Sequence, residues 1–78
     1  MTIKIADLKI GQSALVDNIV ENCDKKLKQR LRDMGFVSGQ KITILKKSIF
    51  GDPIKISIKN YEISIRKKEA DLIKIKND

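Results

Sequence analysis

Two hydrophobic rhythms run along this chain. Most of it alternates apolar and polar residues with a period of two, the signature of strands with one buried face. Ile42 and Ile44 share a face with Thr43 and Leu45 opposite; Ile54, Ile56 and Ile58 alternate with Lys55, Ser57 and Lys59. Tyr61, Ile63 and Ile65 alternate with Glu62, Ser64 and Arg66, and Ile73 and Ile75 with Lys74 and Lys76. Near the start, Ile3 and Ile5 flank Lys4, predicting a short strand and then a turn over residues 6–11. A second strand is predicted over 12–20. Ala14 and Val16 share its inner face, and Ile19 breaks that parity, so a bulge is expected near Asp17 and Asn18.

One stretch keeps a different period. In residues 24–39, Leu27, Leu31 and Met34 fall at i, i+4 and i+7, one apolar stripe on a helix. Asp24 can cap its N-terminus by accepting free backbone amides. Gly35 can end it, taking the positive φ that other residues resist, and Phe36 then falls where an apolar contact returns to Leu31. Val37, Ser38 and Gly39 turn the chain into the next strand, predicted over 40–47.

Turn chemistry separates the remaining elements. Gly51, Asp52 and Pro53 punctuate a loop over 48–53, and Asn60 is expected to take the left-handed position of a tight hairpin. Residues 67–71 read as a single helical turn; Asn77 and Asp78 are expected to fray. The result is five or six short strands with one inserted α-helix and no repeats. So many short strands joined by tight turns predict a mainly β, small closed or nearly closed barrel. At 78 residues the chain is expected to form one domain spanning 1–78, because neither half could build a core alone.

Composition narrows the chemistry. Isoleucine is the commonest apolar residue, a β-branched side chain suited to strands. The net charge is +7, with one Cys and no His. Cys23 has no internal disulfide partner, which fits a reducing compartment. No signal-peptide pattern or membrane-length apolar run is visible, predicting a soluble, cytoplasmic protein without membrane insertion. Without His, a Ser-His-Asp or Cys-His arrangement is impossible, and no phosphate-binding loop or dinucleotide fingerprint occurs. Asp33 and Asp52 are the carboxylates one might bring together, but their spacing does not ask for it. The expectation is no enzyme, no cofactor and no metal site. Nucleic-acid binding is the alternative that the charge raises. Single-strand platforms, however, need exposed aromatics for stacking, and of the three here Phe36 and Tyr61 are expected to be buried by parity. Recognition of proline-rich peptides needs an aromatic-lined groove, which this sequence cannot build.

Leu8, Lys9 and Gly11, then Ala14 and Val16, then Arg30, Leu31, Asp33, Met34, Gly35, Phe36, Val37 and Gly39 form an ordered pattern. It continues through Gly51, Asp52, Pro53 and Ile54, and through Ile63, Ser64, Ile65, Arg66, Lys67, Glu69 and Ala70. In order and spacing the chain resembles the ferrous iron transport protein A (FeoA) family over nearly its whole length. Departures are modest. Ser38 and Ile10 stand where the family often has Pro, Asn60 replaces a turn Gly, and Ile65 replaces Leu. The resemblance implies an SH3-like barrel with a helix inserted after the first barrel strand. It also implies a cytoplasmic accessory of FeoB, the ferrous iron transporter with a GTP-binding domain. The expected docking surface is the outer face of the helix, Lys25, Lys28, Gln29 and Arg32, with Phe50, Gly51, Asp52 and Pro53 beside it. Leu31, Met34, Gly35, Phe36 and Gly39 are expected to be structural, and the protein a monomer.

Overall fold

A computed structural model describes residues 3–21, 23–50 and 52–77. Strands β1 (Ile3–Lys4), β2 (Ser13–Ile19), β3 (Lys41–Lys47), β4 (Ile54–Ile58), β5 (Tyr61–Ile65) and β6 (Ile73–Asn77) form one antiparallel sheet in the order β1-β6-β2-β3-β4-β5. Helix α1 (Lys25–Asp33) joins β2 to β3, and a one-turn helix α2 (Lys67–Ala70) joins β5 to β6. The fold is the mainly β barrel that the alternation predicts, with six strands.

Period-two burial drives the closure. Ile42, Ile44, Ile54, Ile56, Ile58, Ile65, Ile73 and Ile75 point inward from four strands and meet Val16, Leu31 and Phe36 in one apolar core. Fully burying a side chain of this size contributes roughly 1.5–3 kcal/mol. Two irregularities bend the sheet round that core. One falls between Val16 and Asn18, where the broken parity at Ile19 predicts it; the other lies between Ile44 and Lys46 in β3, which the sequence pattern does not reveal. Bulges sharpen the local twist, which lets a short sheet curl. No pairing joins β1 to β5 among the described residues. The buried Ile5 and Ala70 fill that side, where a 3₁₀ turn (Ile5–Asp7) packs against α2.

The helix is built as its sequence asks. The Asp24 carboxylate accepts from the Lys26 amide at 3.0 Å. At the other end Gly35 has φ +110°, the Gly35 amide donates to the Arg32 carbonyl at 3.0 Å and the Phe36 amide donates to the Leu31 carbonyl at 3.1 Å. These two bonds are the Schellman pair that satisfies the helix's last carbonyls. Leu31 and Phe36 are fully buried, and Leu27 and Met34 are half-buried against the same core. Gly39 also has positive φ, +88°, and its amide donates to Val16, returning the chain beside β2.

Four local expectations need correction. The first strand ends at Lys4, because the 3₁₀ turn takes up Ile5 and buries it at the open side of the barrel. In the β4–β5 hairpin the left-handed residue is Lys59, φ 54°, and not Asn60. Ile58 faces Tyr61 directly, so a two-residue loop must reverse the chain, and that geometry asks for positive φ at its first position. Asn77 does not fray: it pairs with Ala14, while Asp78 and Thr2 lie outside the described residues. Tyr61 is 42% exposed, because β5 is an edge strand whose first residue overhangs the core at the end of α1. Its hydroxyl donates to the Met34 carbonyl at 2.7 Å.

Gly35 lies against the Tyr61 hydroxyl. A Cβ at this position would stand 3.0 Å from the Tyr61 hydroxyl and 3.1 Å from Ile58 Cδ1. Strain from positive φ and from crowding therefore add. Gly35→Val is expected to lower stability by at least ~2 kcal/mol, read as a reduced chemical-denaturation midpoint; an unchanged midpoint would contradict this account of the helix end.

Candidate functional site

The barrel interior offers no chemistry: no polar or charged residue is buried among the described residues. Function is therefore sought on the outside, beginning with α1. Lys25, Lys28, Gln29 and Arg32 recur at i, i+3, i+4 and i+7, so they line one face of the helix, opposite the Leu27, Leu31 and Met34 stripe. Lys25, Gln29 and Arg32 are exposed and Lys28 is half-buried. Gln29 Nε2 donates to Asp33 Oδ1 at 2.9 Å, which steadies the face within one turn. Arg30 and Arg32 sit in the last turn, where cations complement the helix dipole.

The second expected piece lies elsewhere. Pro53 lines a shallow groove with Arg30, Ser64, Ile65, Arg66 and Glu69, about 280 Å³ in volume. Arg30 is two residues from Lys28, and at roughly 100° per residue it points to the far flank of the helix. Thus Pro53 neighbours α1 on the flank turned away from Lys28 and Arg32. The expected surface divides into two regions. Ser48 Oγ accepts from the Asp52 amide at 2.8 Å, and Asp52 Oδ1 accepts from the Lys67 amide at 3.0 Å, so the loop's base is fastened to α2. Phe50 at its tip is 91% exposed, and so is its neighbour Ile49, at 95%, a residue outside the expected surface. Gly51 lies outside the described residues. Sequence reading misses Ile49 because an isoleucine in an alternating chain looks like core; its place after Ser48, beyond the last paired residue of β3, is the available signal.

The carboxylates do not converge. Asp33 is held by Gln29, Asp52 by the Lys67 amide, and Glu62 pairs with Lys55 at 3.0 Å across exposed strands. Glu69 accepts from the Arg66 amide at 3.1 Å and reaches Arg30 at 3.9 Å. Exposed pairs of this kind contribute about 0–1 kcal/mol each. Among the described residues no group of three or more His, Cys, Asp or Glu is arranged to hold a metal ion. The Cys23 thiol donates weakly to the Asp24 carbonyl. Nor do the aromatics form a stacking platform: Phe36 is buried, Tyr61 is tied to the helix end, and Phe50 stands apart on its loop.

A six-stranded antiparallel barrel with one helix docked between its second and third strands, carrying its polar groups on outer faces and loops, has the architecture of a small SH3-like module. The comparisons agree. A family model described as the FeoA domain matches residues 3–77. A FeoA-like protein from Clostridium acetobutylicum superposes with TM-score 0.85 at 33% identity, covering 97% of this chain and 86% of that one. Iron(II) transport protein A from Clostridium thermocellum superposes with TM-score 0.87 at 36% identity, covering 96% of this chain and 45% of that one. FeoA from Stenotrophomonas maltophilia, solved with zinc, superposes with TM-score 0.82 at 24% identity, over 97% and 89% of the two chains. It is described as an SH3 domain protein and a candidate activating factor for bacterial ferrous iron transport. No curated protein matches the chain. This chain belongs to the FeoA family.

The scattered carboxylates and lone thiol generate a prediction about metal. Isolated carboxylates bind divalent ions weakly and without selectivity. Anaerobic titration calorimetry with Fe²⁺ is expected to give no stoichiometric, high-affinity site; one tightly bound Fe²⁺ per chain would contradict this.

Proposed function

We propose that this FeoA-family chain is a cytoplasmic accessory of ferrous iron uptake that binds the cytoplasmic part of a FeoB-type, GTPase-containing transporter and alters its uptake or nucleotide cycle. It acts by contact and not by catalysis, as one domain and as a monomer. The observation that carries the reading is the family match across residues 3–77, together with the activating-factor description of the Stenotrophomonas relative. The physical features support it: a rigid small scaffold, no converging reactive groups among the described residues, and a basic outer helix face.

The polar face of α1 is the docking surface. An inserted helix is an addition to a minimal barrel, and additions carry function more often than scaffold does. Lys25, Lys28 and Arg32 supply the charged rim and Gln29 a neutral hydrogen-bonding group. Such a rim mainly sets association rate and salt dependence, while nearby apolar contacts hold the complex. The exposed Val37, just beyond the helix end, is the nearest such apolar group in sequence.

The double reversal Lys28→Glu with Arg32→Glu tests this surface, since both residues lie off the buried stripe. Circular dichroism is expected to show an intact fold. Titration against the transporter, with GTP and with GDP, is expected to show binding weakened by about tenfold or more, from k_on effects of two rim charges. Uptake in cells lacking the wild-type protein falls with it. A folded double mutant that binds and restores uptake like wild type would rule out this face. A wild-type chain that neither binds nor alters uptake in any nucleotide state would rule out the accessory role.

A further inference from the structure

Ile49 and Phe50 form the largest exposure of apolar surface on the described chain, 95% and 91% accessible at the tip of the β3–β4 loop. Side chains of this size gain by leaving water, and neither folds back onto the barrel. The loop's base explains why. Ser48 bonds to Asp52, and Asp52 is held by the Lys67 amide, so Ile49 and Phe50 are carried outward on a braced support.

The surroundings of the tip are basic. Lys46 and Lys55 line a groove at the loop's base with Ser48, Pro53 and Ser64. On the other side Lys47 and Lys67 line a small cleft with Ala6 and Ile54. Four lysines thus flank the base of the loop that carries the two apolar side chains, Lys47 with its Nζ donating to the Ala6 carbonyl at 2.9 Å. Two carboxylates at this end offset part of that charge, since Glu62 pairs with Lys55 and Asp52 accepts from the Lys67 backbone amide, and the local balance stays positive. The chain as a whole carries +7.

An apolar tip with lysines at its base matches the chemistry of one surface, the headgroup layer of an anionic bilayer. Lysines meet lipid phosphates while the tip enters the acyl boundary, and two such signals together hold a protein where either alone is marginal. We propose that Ile49 and Phe50, with Lys46, Lys47, Lys55 and Lys67, form an interfacial anchor for an anionic lipid surface. The contact is shallow and peripheral; no described helix is long and apolar enough to cross a membrane. The proposal stands without the transporter, because lipid alone is the ligand.

Sedimentation with vesicles tests it directly. The full chain is expected to bind vesicles of phosphatidylcholine mixed with phosphatidylglycerol, to bind phosphatidylcholine alone much less, and to lose affinity in high salt. Ile49→Ser with Phe50→Ser should weaken binding to the anionic vesicles by about tenfold or more without changing the thermal melt, since both side chains are exposed. The chain has no Trp, so Phe50→Trp supplies a single tryptophan that can be excited selectively over Tyr61. Its emission should shift to the blue on adding anionic vesicles and be quenched by brominated acyl chains. A double-serine variant that binds like wild type would reduce the effect to net charge and overturn the anchor. A Phe50→Trp signal unmoved by vesicles, but shifted by a detergent-solubilised transporter, would assign the tip to a protein pocket and overturn it equally.

Discussion

The Met34 carbonyl, with the Tyr61 hydroxyl 2.7 Å away and Gly35 packed against that hydroxyl and Ile58, is the joint on which this structure depends. An inserted helix has no ladder to hold it on a barrel. It must be fixed by its buried stripe and by the direction in which the chain leaves it. Positive φ at Gly35 sends Phe36 straight into the core, and the Schellman bonds satisfy the carbonyls that the turn exposes. Tyr61 then joins the helix end to the β4–β5 hairpin, across 27 residues of sequence. One glycine and one phenol thereby set how α1 lies, and so which of its residues face outward.

That joint also explains the division of labour in the fold. The interior is filled by isoleucines whose alternation leaves no room for buried polar groups. A chain of this length cannot offset the cost of an unpaired buried charge. Chemistry is consequently confined to the outside, where two regions stand out: the polar face of α1 and the apolar tip of the β3–β4 loop. They are separate surfaces, since Pro53 at the loop's base lies by the Arg30 flank of the helix and not by its Lys28 and Arg32 face. The two contacts proposed for these regions therefore do not compete for one surface.

The strands, the helix with both caps, the single turn of α2 and the bulge beside Asp17 were legible in the sequence because each follows from local period or local φ/ψ preference. Ile19 announced the first bulge by breaking parity, whereas the irregularity between Ile44 and Lys46 left the buried pair Ile42 and Ile44 in phase and so made no mark. Lys59 was missed because residue preference favours Asn at positive φ, but hairpin register decides which position needs it. Tyr61 was assigned inward by parity alone, yet the depth of core beneath an edge strand is a tertiary quantity. The candidate surface shows the same limit. Its helical residues could be grouped by spacing, but the separation of that face from Pro53 depends on how α1 is docked, which no local pattern encodes.

Native-state hydrogen exchange at the Phe36 amide tests that docking most directly. This amide donates to Leu31 across the positive-φ turn. If α1 is locked to the barrel through Gly35 and Tyr61, Phe36 should exchange only by global unfolding, with the same opening free energy and denaturant dependence as the Ile56 amide in the middle of β4, between β3 and β5. Exchange at Phe36 that is orders of magnitude faster than at Ile56, and insensitive to denaturant, would mean that the helix end opens independently of the barrel, contradicting the account.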